Sequence, residues 1–332
     1  MIRYHLFFFP LLLAGAEGDF VGAKRCAPCH ESILRRQQSS RHARTLRPMT
    51  DASEFSAHLP YSTVDRSTGA QLTLTRTGTG AVELIASKEI ERYRLPLQWA
   101  FGSGAQGITC VGKREDGQPI EGRLTWYQSI DTYDLTTGAT RYTPFNTQQS
   151  LGRELSTDEL QRCLTCHGGE RVELGVRCET CHGPGSKHVA SIGRSGSNLS
   201  ILNPGRLDAF GQAKMCGECH GTPPEDTDLA GLRAIEGNPN TVRFASPRLV
   251  LSRCFNESEN GLKCTGCHNP HEDASREHAD YDRACLSCHS TNVRKRAAVC
   301  KTGVERCASC HMPRVRVMAH SKFADHWIRV VR

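Results

Sequence analysis

Two stretches of the chain alternate apolar and polar residues with the period of two that a half-buried strand requires. They are residues 71–87, QLTLTRTGTGAVELIAS, and residues 107–128, GITCVGKREDGQPIEGRLTWYQ. Gly-rich or Asp-Gly turns interrupt each run, so both read as β-hairpins, and together they place a small β-rich insertion over residues 59–150. Elsewhere the apolar positions come in short groups. ESILRRQQSSRHA, residues 31–43, reads as a short helix, and beyond Cys163 short charged helices alternate with Pro and Gly. The predicted fold is therefore mainly α and irregular, with the β-rich insertion as a minor part. The expected segments are 1–16, 17–58, 59–150 and 151–332.

Composition changes this picture by showing what the interior lacks. Only 38% of the 332 residues are hydrophobic and 6% aromatic, thin material for a large core made of side chains alone. Seventeen cysteines are far more than a reducing cytosol usually stores. The N-terminus supplies a matching address: MIRYH, then the apolar LFFFPLLLAGA, then Ala14-Gly15-Ala16 as a cleavage site. That run is shorter than the roughly 20 residues of a spanning helix and contains Pro10, so residues 1–16 read as a signal peptide. No later stretch is apolar enough to span a bilayer. The expectation is an exported protein, periplasmic or otherwise outside the cytoplasm, with no membrane span in its mature chain. The net charge of +7 comes from dispersed basic residues, which together with export argues against nucleic acid as a partner.

The cysteines are not scattered. CAPCH at 26, CLTCH at 163, CETCH at 178, CGECH at 216, CTGCH at 264, CLSCH at 285 and CASCH at 307 use fourteen of the seventeen. Chance would give roughly 0.04 such motifs in a chain of this composition. A zinc ribbon explains paired C-x2-C spacing, but it does not explain a histidine directly after every second cysteine. Haem c explains both. Two thiols two residues apart reach the two vinyl groups of one porphyrin edge, and the next residue falls beneath the iron. The expected thioether cysteines are Cys26, Cys29, Cys163, Cys166, Cys178, Cys181, Cys216, Cys219, Cys264, Cys267, Cys285, Cys288, Cys307 and Cys310. The proximal iron ligands are His30, His167, His182, His220, His268, His289 and His311. Seven covalently attached haems follow, and their propionates account for much of the basic excess.

Seven further histidines are candidate sixth ligands: His42, His58, His188, His271, His278, His320 and His326. Trans imidazoles place their coordinating nitrogens about 4 Å apart and their Cα atoms roughly 13 Å apart, whereas three residues span at most about 10 Å. His271 therefore serves a haem other than that of His268. His188, beyond the Gly183-Pro184-Gly185 turn, is likewise directed to a neighbouring iron. His42, His188, His271 and His326 are the leading candidates, then His320, then His58 and His278. Met49, Met215, Met312 and Met318 are possible axial sulfurs, although ordinary packing is the simpler role. Of the remaining cysteines, Cys254 and Cys300 are expected to form a disulfide and Cys110 to stay free.

Several longer stretches carry a resemblance: FVGAKRCAPCH, CETCHGPGSKH, SRCFNESENGLKCTGCHNPH, and CASCHMP with a terminal DHWIR. In these the chain resembles the multihaem cytochromes related to the tetrahaem cytochrome of ammonia oxidisers, the pentahaem nitrite reductases and the octahaem hydroxylamine oxidoreductases. FGSGAQGITCVG, within the insertion, looks like a segment of doubled-motif cytochromes of this group. The resemblance implies a multihaem cytochrome c fold, short helices around a haem chain, with His188, His271 and His326 as ligands. It also implies exported electron transfer between redox protein partners through bis-histidine haems. The chain departs from the group's enzymes in having no C-x-x-C-K motif and no assignable cross-linking tyrosine. An enzyme reading survives as reduction or oxidation of a small nitrogen or sulfur compound at one open-coordinate haem, without any catalytic residue being named.

Overall fold

The structure, a computed structural model, describes residues 18–138, 142–168, 172–192, 200–225, 227–258, 261–290 and 300–331. Residues 1–16, read above as a signal peptide, lie outside the described residues. Eleven strands are described: β1 Leu46–Pro48, β2 Tyr61–Val64, β3 Gln71–Arg76, β4 Val82–Lys88, β5 Glu91–Phe101, β6 Gly107–Lys113, β7 Pro119–Tyr127, β8 Thr132–Leu135, β9 Gly152–Glu154, β10 Arg314–Met318 and β11 Ser321–Ala324. The helices are α1 Ala27–Ser39, α2 Ser53–Ser56, α3 Thr157–His167, α4 Cys178–His182, α5 Ser186–Ser191, α6 Ala209–His220, α7 Leu229–Glu236, α8 Ala245–Leu249, α9 Arg253–Glu257, α10 His278–His289 and α11 Cys307–His311.

The expectation of a mainly α and irregular fold with a small β-rich insertion is corrected. A curled antiparallel sheet of half-barrel form dominates the N-terminal half. Strands β2 to β8 follow one another as a meander, β1 pairs with β5, and β9 pairs with β7. The hairpins at 71–87 and 107–128 are present, but the sheet begins at Leu46 and ends at Glu154. Three-residue strands such as β1 and β9 are too short to show a period. They are recruited by long-range pairing, Leu46 opposite Phe101 and Gly122 opposite Gly152.

Alternation decides what the sheet buries. Leu72 and Leu74 of β3, Leu84 and Ala86 of β4, Leu95 of β5 and Ile108 of β6 are fully enclosed, together with Phe55 from α2. A buried ion pair stitches this half: Arg123 Nε donates to Asp65 Oδ2 at 2.7 Å. Buried Cys110 donates to Leu124 O at 3.4 Å, and burial pushes its thiol up to about 12, the state of an inert packing residue.

The C-terminal half is built differently. Among the described residues its largest apolar cluster has five buried members, Ala209, Ala213, Leu249, Val250 and Phe255, with half-buried Phe210, Leu232, Leu262, Cys264 and Ile328 against them. The helices are short, and five of them (α3, α4, α6, α10 and α11) end on the histidine of a CxxCH motif. The two halves meet where Leu46, Phe101, Val111 and Leu155 pack on Leu160, Cys163 and Leu164 of α3. Ser156 caps α3 by accepting from Glu159 N at 3.2 Å, while Glu159 accepts from Ser156 N at 2.9 Å. Gly168 ends α3 at φ 79°, where a Cβ would strike the Gly175 backbone. The β10–β11 hairpin lies along the sheet, with Gln106 Nε2 donating to Lys322 O at 3.2 Å and Ser129 Oγ to His320 O at 2.8 Å.

Candidate functional site

Four histidine pairs, each joining a motif histidine to one from elsewhere in the chain, organise the helical half. His30 faces His188 with ring centroids 6.5 Å apart and planes 20° from parallel. His182 faces His271 at 6.2 Å and 3°. His42 and His220 stand 6.2 Å apart at 73°, and His268 and His326 6.3 Å apart at 42°. These separations are too long for ring stacking, but they match two imidazoles trans on one metal. With metal–nitrogen bonds near 2 Å and about 1.2 Å from ring nitrogen to centroid, trans ligands put centroids about 6.4 Å apart. The residues present therefore fit an iron between each pair.

Hydrogen bonds set the tautomers the same way. The Nδ1 atoms of His42, His182 and His326 lie 3.2, 2.8 and 3.1 Å from the carbonyl oxygens of Pro270, Leu202 and Ala324. His167 and His311 do likewise with Thr45 O at 2.8 Å and Arg329 O at 3.0 Å. An Nδ1–H that donates to a carbonyl leaves the Nε2 lone pair for a metal. Burial lowers the His326 pKa to about 4, with the neighbouring His268 acting in the same direction, so its imidazole is neutral.

The fold delivers His326 through a charge network. Asp325 is 1% exposed; it accepts from Arg248 Nε at 2.9 Å, Arg248 NH2 at 2.7 Å, Arg329 NH1 at 2.8 Å and Trp327 N at 3.0 Å. Trp327 is covered by both guanidinium groups, at 5.1 and 4.2 Å. Arg248 is a positioning residue that sequence reasoning missed. It lies 77 positions away, and only the run of charge and aromatic in DHWIR hinted that the segment is anchored.

Motifs also adjoin one another. The side chains of Cys26 and Cys178 lie close together, as do those of Cys216 and Cys264, and of Cys285 and Cys307, in each case the first cysteine of each motif. The second cysteines Cys166 and Cys219 are also close, with Cys166 Sγ donating to Glu218 O at 3.6 Å. Cys181 lies near Cys219, and Cys267 near Cys285. The motifs thus form three pairs in a row: first with third, fourth with fifth, and sixth with seventh. The second motif adjoins the fourth.

The other candidates sit elsewhere. His58 lies in the β half, its Nε2 3.1 Å from Asp131 and its ring 6.2 Å from that of Trp126. His320 Nε2 is 2.7 Å from Asp134 Oδ2, its ring 4.7 Å from that of Tyr127. His278 opens α10, and His289 closes it. The expected Cys254–Cys300 disulfide is corrected: both are free thiols. Cys254 sits near Cys267, Cys285 and Cys288, while Cys300 Sγ contacts Thr302 Oγ1 at 3.2 Å, so packing sends the two to different clusters.

His167 differs from the paired histidines. Among the described residues no second histidine ring faces it; Phe101 lies edge-on at 5.3 Å. It opens onto a cavity of about 270 Å³ between α3 and the sheet, lined on the sheet side by Glu121, by Met318, and by Thr109, Thr125, Tyr127 and Thr137, whose hydroxyls bond one another and Leu135 O.

Repeated attachment motifs and metal-spaced histidine pairs support a multihaem c-type cytochrome with covalently bound haem. No family model matches the chain. Dissimilatory sulfite reductase MccA of Wolinella succinogenes is 21% identical over 387 residues, a match covering 89% of this chain and 50% of that protein. The chain therefore spans about half the length of that curated relative. Among solved structures, outer cell wall cytochrome OcwA is similar in fold, with a TM-score of 0.53 and 14% identity over 94% of this chain and 80% of that one. Among the described residues no helix is long and apolar enough to cross a membrane.

Proposed function

We propose that the chain is an exported heptahaem c-type cytochrome that carries electrons between redox partners through bis-histidine haems. Segments 17–58 and 151–332 carry the haems, and the intervening β-rich part covers them. The supporting observation is the set of four histidine pairs with centroids 6.2–6.5 Å apart, drawn from different parts of the chain. The bound group supplies one-electron redox chemistry. The chain's own histidines hold and orient it, their carbonyl partners fix the tautomer, and crossed ligation ties four of the motifs to distant parts of the chain. Mass spectrometry of the mature protein tests the cofactor number, with a mass increment of seven haems expected. His188→Ala tests the ligation: carbon monoxide should bind the reduced variant in a step missing from the parent protein. An unchanged carbon monoxide titration would count against it.

A second reading is reduction of a small nitrogen or sulfur compound at the haem held by His167. The cavity at His167 favours it, because among the described residues no second histidine faces this ring and the cavity leaves room for a small ligand beside it. The curated relative's action on sulfite points the same way. Sulfite, nitrite or hydroxylamine should then shift the absorption spectrum of the ferric protein. If none of the three does so at millimolar concentration, this reading fails.

A further inference from the structure

Each motif pair is fastened by one buried side chain, and the three fasteners differ in charge. In the pair containing Cys26 and Cys178, the carboxylate of Glu179 accepts from Val21 N at 3.0 Å, Gly22 N at 2.8 Å and Gly185 N at 2.8 Å. It thereby joins the approach to the first motif with the turn that precedes His188. Glu173 adds a second carboxylate there, accepting from Ala23 N at 2.8 Å. In the pair containing Cys285 and Cys307, Asp282 accepts from Arg306 N at 2.7 Å and Cys307 N at 2.8 Å. The middle pair, Cys216 with Cys264, has a neutral amide in the same role. Gln212 Oε1 accepts from Thr265 N at 3.2 Å, and its Nε2 donates to Thr265 Oγ1 and Pro204 O, each at 3.0 Å.

Glu179, Gln212 and Asp282 are 6%, 1% and 7% exposed. Among the described residues, neither carboxylate belongs to an ion pair; His278 lies one helical turn before Asp282 on the same helix. The middle pair does have Glu218 nearby, but that side chain is exposed and screened by water. Buried charge beside the thioether edge acts through a lower dielectric. A carboxylate there favours the ferric state, which carries one more positive charge than the ferrous, so it makes a haem harder to reduce.

We propose that the central pair of sites, at His220 and His268, is where electrons collect, and that Glu179 and Asp282 impose this by making the flanking pairs harder to reduce. Each step takes one electron from an external one-electron reductant and converts one ferric iron to ferrous, with no bond broken. The collecting pair adjoins the second motif where Cys166 Sγ meets Glu218 O at 3.6 Å, which brings it near the His167 cavity. This inference rests on the haem reading above.

The test is a reductive titration of the haem-loaded protein followed by electron paramagnetic resonance, with His42→Ala and His326→Ala used to assign the central signals. Those signals should vanish at the highest potential. Gln212→Glu should lower the ferrous-to-ferric ratio of the central pair about tenfold at fixed potential, equivalent to ~59 mV for one electron. Glu179→Gln and Asp282→Asn should raise that ratio at their own pairs by a similar factor, which keeps the test decisive if Gln212→Glu folds poorly. Flanking pairs that reduce before the central one, or carboxylate variants with unmoved midpoints, would overturn the proposal. Loss of the haem reading itself is distinguishable, since a pyridine haemochrome assay would then find too little haem, and the proposal would fall with it.

Discussion

The two halves of the molecule solve the problem of an interior in opposite ways. In residues 46–155 alternating side chains close a continuous apolar core around Leu72, Leu74, Leu84, Leu95 and Ile108, all fully enclosed. From residue 157 onward, the largest apolar cluster among the described residues has only five buried members, and metal-spaced imidazoles and paired motifs share that half. One half has its core in its sequence, and the other needs a core added to it. Covalent cofactor is therefore a structural element of the second half as much as a redox one.

Blocking haem attachment should break this contrast open most widely. Hydrogen exchange on the cofactor-free chain should leave β3 to β7 protected and residues 157–331 largely unprotected. Equal protection of both halves would remove the distinction. Next in size is Arg248→Ala, which leaves Asp325 as a buried charge short of its main partner. Denaturant unfolding should register a loss of about 3–5 kcal/mol, with the iron at His268 turning high spin as His326 drifts away. Leu84→Ala sharpens the comparison from the other side: it should cost about 2–5 kcal/mol in the β half, with the haem absorption spectrum unchanged. Smallest is Ser156→Ala at the junction, expected to cost about 1 kcal/mol through loss of the α3 cap, seen as faster exchange of the first turn of α3.

These contrasts also explain what could be read from the chain. The CxxCH motifs are legible because the porphyrin edge fixes their spacing, and the hairpins at 71–87 and 107–128 because alternation fixes which side is buried. The extent of the sheet was not legible, since β1 and β9, three residues each, are too short to carry a period. Which histidine faces which was hidden for a related reason. His42 meets His220 and His271 meets His182 only after chain segments far apart have packed. Counting histidines could not separate His58 and His320, whose surroundings are carboxylates and aromatic rings of the sheet, from those placed among the motifs. The clamps Glu179, Gln212 and Asp282 look like ordinary polar residues until their backbone partners are known.

Ring orientation offers the most direct test of the central claim that facing histidines share an iron. Nearly parallel imidazole planes split the iron orbitals they overlap, whereas nearly perpendicular planes leave them close in energy and give a far more anisotropic low-spin signal. Electron paramagnetic resonance of the ferric protein should show rhombic low-spin signals from His30 with His188 and His182 with His271, and a highly anisotropic one from His42 with His220, whose planes stand at 73°. In His42→Ala that anisotropic signal should disappear and a high-spin signal replace it. An unchanged spectrum in that variant, or a parent protein whose irons are mostly high spin, would contradict the claim.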